Sequence, residues 1–448
     1  MTYQNSLQRI AKRHDWQPFV FTLVLLCLAA SPAVAVPDIQ WTQQWGTIFF
    51  DSGQAVAAGA LNDVFVAGNI GTSPEDGYLR RYGAAGNLIW NRSLSTTAED
   101  TATGVAADNL GNSYVVGTTS GALEGPSNGL HDIYISKYDS NGVVVWGHQY
   151  GMAQEEEFAF GTALDGIGGL YVAGHVATAS SGQEAYLAKF STNGALLWDR
   201  QFGTSGDDIS RGTAADALGN VFVAGYVTER TANAQVGYVR KYNTDGTLQW
   251  DRQFPGGGYA EATSVATDGS GNAYVTGRTT GSVAGPNAGE TDSFVSKYDA
   301  NGNLLWSHQF GGSAADEAFG ISVQANGDAF VTGLTGGAAF GISDLTKRDI
   351  FLTKFDAAGN QQWFVLDGTT QADRGLGISV DGSGYAYITG DTGGALAGTS
   401  AGNNDAFLVK YRVVPEPNAA ALIGFATMIF GTQRSRRRSI DDMPMHTT

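Results

Sequence analysis

The sequence predicts an all-β chain closed into a seven-bladed β-propeller of four-stranded antiparallel blades, with its N-terminal strand completing the last blade. Three observations predict it. A short strand ending in glycine is written seven times, a second strand ending in a base and an aromatic residue follows each copy, and the strand missing from the last unit stands at the opposite end of the chain. By length alone, 448 residues point to two or three domains, but a ring of repeats absorbs that length in one.

The glycine-ended strand lies at 65–68, 114–117, 171–174, 222–225, 274–277, 330–333 and 387–390, with its last glycines 49 to 57 residues apart. Its successor ends in Arg81-Tyr82, Lys137-Tyr138, Lys189-Phe190, Lys241-Tyr242, Lys297-Tyr298, Lys354-Phe355 and Lys410-Tyr411. After six of these pairs, a turn with glycine leads to a strand carrying Trp90, Trp146, Trp198, Trp250, Trp306 or Trp363. After the seventh the chain runs into Val413-Val414-Pro415 instead. The absent strand is Ile39-Gln40-Trp41-Thr42-Gln43-Gln44-Trp45-Gly46, the counterpart of Leu304-Leu305-Trp306-Ser307-His308-Gln309-Phe310-Gly311. A fourth strand precedes each glycine-ended one, as 318–323 precedes 329–333.

In chain order these strands are A, B, C and D of a meander. The C–D connections, such as Asp139-Ser140-Asn141-Gly142 and Asp299-Ala300-Asn301-Gly302, place an Asp that bonds backbone two residues on and a glycine able to take positive φ, the chemistry of a hairpin turn. One such sheet cannot bury both its faces, so the sheets must stack. Radial closure does this with few exposed edges, whereas an open stack would need atypical capping units. The tryptophans are expected between neighbouring blades, with the strand C lysine stems over aromatic rings and their ammonium groups in solvent.

Glycine, at 62 residues, is far above its usual share, yet prolines number ten and 42% of residues are apolar, so neither collagen nor disorder fits. Residues 1–35 read as a secretory signal: Arg9, Lys12 and Arg13 precede an apolar stretch from Phe19 to Ala30, and Ala33-Val34-Ala35 is the small-residue cleavage pattern. The only cysteine, Cys27, lies inside this segment, so the mature chain has no thiol ligand or disulfide. The expected organisation is a signal peptide at 1–35, a propeller at 38–412 and a tail at 413–448. Without 1–35 and 415–448, 19 bases face 39 acids, a net charge of −20. Such a surface repels phosphate backbones and anionic headgroups, which argues against a nucleic-acid partner and favours cations or neutral glycans.

Units such as Gly271-Asn272-Ala273-Tyr274-Val275-Thr276-Gly277 and Asp292-Ser293-Phe294-Val295-Ser296-Lys297-Tyr298-Asp299 resemble the bacterial SBBP β-propeller repeat over about 375 residues. That resemblance implies a propeller and an exported context, and no single activity. The tail is similar to the PEP-CTERM signal read by exosortases in Gram-negative bacteria. It has Pro415, Glu416 and Pro417, then an apolar run from Ala419 to Phe430, then Arg434, Arg436, Arg437 and Arg438. The resemblance implies tethering in the inner membrane with the arginines cytoplasmic, cleavage near Pro415 by an exosortase-type enzyme, and a cell-surface, extracellular or biofilm-matrix destination. The apolar run is shorter than the roughly 20 residues of an ordinary span, and ten residues trail the arginines.

Strands A and C begin at the same face of the disc. Before strand A stand Asp51, Asp100, Glu157, Asp208, Asp316 and Asp373, with Glu261 one residue out of register; before strand C stand Asp76, Asp132, Glu184, Asp292, Asp349 and Asp405, with Val236 breaking the series. These are the candidate site residues. Rim carboxylates offer oxygen ligands to Ca²⁺, although acids a full blade apart are too distant to share one ion; the alternative is that each bonds amides of its own loop. No other cofactor is expected. Long B–C loops on the same face expose Leu123, His131, Phe340 and Lys347 as ligand contacts. The Gly398-Thr399-Ser400-Ala401-Gly402 match to the hydrolase elbow sits in a loop with no helix to follow, and His131, His148, His175 and His308 lack the paired spacing of a zinc site. No unit by itself carries a distinctive Glu, His and Arg constellation; unit four departs most, with Glu229, Arg230 and Val236.

The function expected is a non-catalytic exported propeller that binds a polysaccharide or surface protein, or builds the cell surface or matrix. The alternatives are a glycan lyase or hydrolase using rim carboxylates and a purely architectural spacer.

Overall fold

A computed structural model describes residues 36–413 except 72, 153–154, 179–181, 230–233, 255–256 and 337–347. The predicted signal and sorting segments, together with Phe340, Lys347 and Arg230, lie outside the described residues. The described chain is all-β: 28 strands in seven four-stranded antiparallel sheets. Blade 1 is Ser52–Ala58, Val64–Ile70, Asp76–Tyr82 and Leu88–Leu94; blades 2 to 6 occupy 100–150, 156–202, 209–254, 260–310 and 316–367. Blade 7 combines β26 (Asp373–Val380), β27 (Tyr385–Thr392) and β28 (Asp405–Arg412) with β1 (Asp38–Trp45). Strand β1 pairs with β28 from Asp38 opposite Arg412 to Trp45 opposite Ala406, so the ring closes through the chain's two ends.

The core is seven separate clusters, each joining one blade to the next, and this is how sheets with two apolar faces hide both. The cluster between blades 4 and 5, for instance, packs Phe222, Val239, Trp250 and Phe254 on Ala262, Val265, Val275 and Phe294. Strand A is innermost and strand D outermost. The C–D turns take the expected form: Gly142 has φ 74° and Gly302 has φ 79°, and the Asp139 and Asp299 carboxylates accept from the amides of Asn141 and Asn301.

Those turns latch the ring. The indole N–H of Trp90 donates to Ser140 O of the next blade's turn at 3.2 Å, Trp198 to Thr244 O at 2.9 Å, Trp250 to Ala300 O at 3.1 Å and Trp306 to Ala357 O at 3.2 Å. The strand C base joins the same acceptor: Lys241 Nζ meets Ala300 O and Lys297 Nζ meets Ala357 O, each at 3.0 Å. At the closure, Trp41 from the N-terminal strand and Lys410 from the C-terminal strand converge on Ala84 O of blade 1 at 3.0 and 3.2 Å. The lysine expectation is therefore corrected. The stems do lie by strand B rings, as Lys297 Nζ does 4.7 Å from the Tyr274 centroid, but Lys189, Lys241, Lys297 and Lys410 are buried. Their ammonium groups bond a neighbour's turn instead of solvent, because burying a charge requires a partner and the turn carbonyl supplies one.

Blade 7 takes its strands C and D from opposite ends of the chain, and among the described residues the Trp363 indole N–H of blade 6 bonds no turn carbonyl. Both Trp90 and Trp363 are buried. Replacing each with Phe should therefore separate the latch from ring packing: Trp90→Phe should cost about 1 kcal/mol more than Trp363→Phe in urea unfolding. Equal losses would show that the latch contributes nothing.

Candidate functional site

The seven strands A surround a channel of about 240 Å³. Each carries a β-bulge at the same place, between Gly53 and Ala55, Ala102 and Gly104, Ala159 and Gly161, Ser210 and Gly212, Ala262 and Ser264, Ala318 and Gly320, and Gly375 and Gly377. A bulge re-aims the extra side chain. Here Gln54, Thr103, Phe160, Arg211, Thr263, Phe319 and Leu376 line the channel, five kinds of side chain on one repeated backbone. The next residue is glycine in five blades, because the inner strands nearly touch there: a Cβ on Gly212 would sit 2.9 Å from Ser264 Cα.

Toward the face where strands A begin, the upper face, one sector differs from the rest. Glu261, 1% exposed, is gripped from two blades: Arg211 Nε lies 2.7 Å from its Oε1 and Arg278 Nη2 lies 2.7 Å from its Oε2. The Tyr259 hydroxyl also donates to it. Burial opposes ionisation of Glu261, but the two guanidinium groups outweigh it and hold the carboxyl below its usual range. Arg278 extends the chain of charge to Glu317 of blade 6 at 2.5 Å. Aromatic faces back these groups: the Arg211 guanidinium stands 4.7 Å from the Phe160 centroid, and Arg278 stands 5.8 Å from Tyr259 and 6.0 Å from Phe319.

His175 completes the sector. It is 4% exposed, stacks on Phe158 at 5.0 Å and approaches Phe160 at 5.6 Å, and among the described residues neither ring nitrogen has a hydrogen-bond partner. Burial, reinforced by the nearby Arg211 charge, lowers its pKa to about 4, so the imidazole is neutral at physiological pH. Glu, His and Arg are thus brought together from blades 3, 4 and 5. This corrects the expectation drawn unit by unit, which found no such constellation because each blade contributes only part. Val236 and Ala260 stand where the other units carry acids, and the displaced Glu261 is the residue that the arginines hold.

The predicted rim carboxylates are brought together in pairs across blade junctions. Asp405 and Asp51 flank Gly46, Glu184 and Asp208 flank Gly203, Asp292 and Asp316 flank Gly311, and Asp349 and Asp373 flank Gly368. Asp132 faces Glu157 in the same way, and Asp76 and Asp100 occupy the equivalent strand starts. The two series therefore belong to shared junctions, which their spacing in the sequence conceals. Most bond their own loops: Asp51 accepts from the amides of Thr47 and Gly71, Asp208 from those of Thr204 and Thr228, Asp373 from that of Thr369, Asp292 from Ala288 and Gln309, and Asp405 from Ala401 and Gln44. Burial raises Asp51, Asp208, Asp316 and Asp373 against those bonds, and it lifts Glu157 to about 7. Among the described residues no three metal-binding side chains converge, and each junction offers two carboxylates where a hard divalent cation takes six to eight oxygens.

Of the loop candidates, Leu123 packs on the core between blades 1 and 2, and His131 is half-buried with its ring 4.9 Å from Phe158. Ser400 of the hydrolase-like match donates to Gly402 O in a loop between two strands, where no helix follows.

The fold and this mouth define a seven-bladed β-propeller with an asymmetric channel end. The SBBP beta-propeller repeat matches residues 78–123 and 249–283, which lie in blades 1–2 and 4–5. The regulatory protein FlaEY of Caulobacter vibrioides is 30% identical over 161 residues, covering 33% of this chain and 16% of that protein. An uncharacterized WD repeat-containing protein of Acanthamoeba polyphaga mimivirus is 27% identical over 163 residues, covering 29% of this chain and 12% of that one. The chain thus spans under a fifth of either relative. Several solved structures are similar at low identity. The polysaccharide lyase Uly1 has TM-score 0.47 and 12% identity, covering 81% of this chain and 90% of that one. The beta-propeller domain of the Trilobed protease from Pyrococcus furiosus has TM-score 0.46 and 10% identity, covering 82% and 99%. Sqt1 from Chaetomium thermophilum has TM-score 0.44 and 14% identity, covering 79% and 83%.

Two pH effects of opposite sign follow. His175 has a folded pKa below its unfolded value of about 6.5, so the unfolded chain binds the proton first and the native state loses stability as pH falls from 6.5 toward 4. His175→Phe should flatten the decline of melting temperature across that window; an unchanged slope would contradict a buried neutral imidazole. Glu157 has a folded pKa above its unfolded one, so its contribution is present below about 4.5 and is lost as pH rises through about 7. Glu157→Gln should therefore raise the melting temperature at pH 8 more than at pH 5.

Proposed function

We propose that this protein is an exported, non-catalytic propeller that binds a polysaccharide at the upper channel mouth, as a component of the cell surface or biofilm matrix. The observation that carries the reading is the break in seven-fold symmetry. A spacer needs no blade to differ, yet blades 3 to 6 gather aromatic faces (Phe158, Phe160, Phe319) beside planar charged groups (Arg211, Arg278, Glu317) in one half-buried sector. Aromatic rings pack against the C–H faces of sugars, and guanidinium and carboxylate groups bond hydroxyls in pairs. Since the arginines already have carboxylate partners and the mature surface is strongly acidic, a neutral or sparsely charged glycan suits the site better than a polyanion. Export rests on the leader pattern, and the tail residues Pro415 to Arg438 support a transient inner-membrane tether that an exosortase-type enzyme cleaves before release to the surface.

A polysaccharide panel tests the reading. Retention without turnover is expected, weakened about tenfold or more by Phe319→Ala and by Arg211→Gln, which leaves Glu261 its Arg278 partner. Release of shortened or unsaturated product would make it an enzyme, and no retention of any glycan would leave the spacer.

A further inference from the structure

The seven A–B turns lie on the lower face, and the residue at the tip of each divides the blades into two groups. Blades 1 to 4 place Leu61, Leu110, Ile167 and Leu218 there, exposed by 60, 78, 65 and 79%. Blades 5 to 7 place Ser270, Asn326 and Ser383 at the same position. The turn itself does not call for an aliphatic side chain. Asp108 and Asp216 accept from the amides of Leu110 and Leu218 just as Asp268 and Asp381 accept from those of Ser270 and Ser383. The aliphatic tips stand on four consecutive blades, and Leu61 reaches over Gly111 of blade 2 as Ile167 does over Gly219 of blade 4. Four aliphatic residues on consecutive blades, held this far into solvent and not required by the turn, offer an apolar surface to a partner.

Both ends of the described chain leave from that face. Asp38 lies opposite Arg412, and the Val413 amide donates at 2.9 Å to Gly384 O in the A–B turn of blade 7, next to blade 1 where the aliphatic tips begin. In sequence, only residues 414–418, two of them proline, separate this point from the apolar run that starts at Ala419 and precedes the arginines. Fully extended, five residues reach roughly 18 Å. A membrane-held tail would therefore keep the lower face within one linker length of the bilayer.

We infer that the lower face lies against a lipid bilayer of zwitterionic headgroups, with Leu61, Leu110, Ile167 and Leu218 inserted among them. The inference rests on the tether proposed above. The tether supplies the effective concentration, so four side chains suffice where they would be weak alone, and the acidic surface disfavours anionic lipid. This orientation points the channel mouth away from the membrane, toward passing polymer.

The chain has one cysteine, Cys27, so a Cys27→Ser background permits single fluorescent labels at Leu110→Cys, Leu218→Cys and, on the upper face, Ser127→Cys. The full-length chain is reconstituted in phosphatidylcholine vesicles, and flotation reads the tether. Nitroxide-bearing lipid should then quench the labels at 110 and 218 several-fold more than the label at 127, and replacing part of the phosphatidylcholine with phosphatidylglycerol should reduce the difference. Changing all four tips to serine, the residue that blades 5 and 7 use, should abolish preferential quenching of a Ser270→Cys label on the lower face while leaving polysaccharide retention unchanged. A chain that floats but shows equal quenching at 110, 218 and 127 overturns the inference and leaves the tether standing; a chain that does not float overturns both.

Discussion

Six of the seven blade junctions turn on a single carbonyl oxygen each. The second residue of a C–D turn receives the tryptophan N–H and, in several blades, the ammonium of the strand C lysine from the blade before it, at Thr244, Ala300 and Ala357 for example. Two donors on one acceptor fix the angle between successive sheets as well as their separation, and apolar packing fills the wedge so defined. Where the ring closes, the donors come from opposite ends of the chain: Trp41 and Lys410 meet at Ala84 O. Closure therefore uses the same bond as the junctions from blade 1 to blade 6, and no special clasp is required.

Such a scaffold leaves its inner strands free to vary. The bulge in strand A turns one side chain per blade into the channel without disturbing the ladder on either side, so chemistry can change there at little cost to the fold. The upper mouth shows the result. At most junctions paired carboxylates anchor the loops, as Asp405 and Asp51 do; the corresponding positions of blades 4 and 5 hold Val236 and Ala260, and a carboxylate reappears one residue later as Glu261. That single shift turns a loop anchor into the centre of an Arg211, Glu261, Arg278 and Glu317 chain flanked by Phe160 and Phe319.

The two faces thus divide their tasks along the strand direction. Strands A and C begin above, where long B–C loops and the channel mouth lie, while the turns, the latches and both chain exits lie below.

The sequence by itself determined the strand order, the number of blades and the way the ring closes, because each strand carries a local signature: the Asp139 to Gly142 type of turn, the glycine ending strand B, and the tryptophan strand whose one missing copy is found at Trp41. Even the D-strand glutamine was visible in the comparison of 39–46 with 304–311, since Gln44 and Gln309 both staple the B–C loop of their blade. What only the tertiary structure decided is which residues of different blades meet. His175, Arg211 and Glu261 lie 36 and 50 residues apart and no local pattern relates them; they converge because strand B of blade 3 and the inner strands of blades 4 and 5 meet at one rim. The same reason hid the pairing of the carboxylate series and the burial of the lysines, for both are properties of a junction, and a junction is written in two repeats at once.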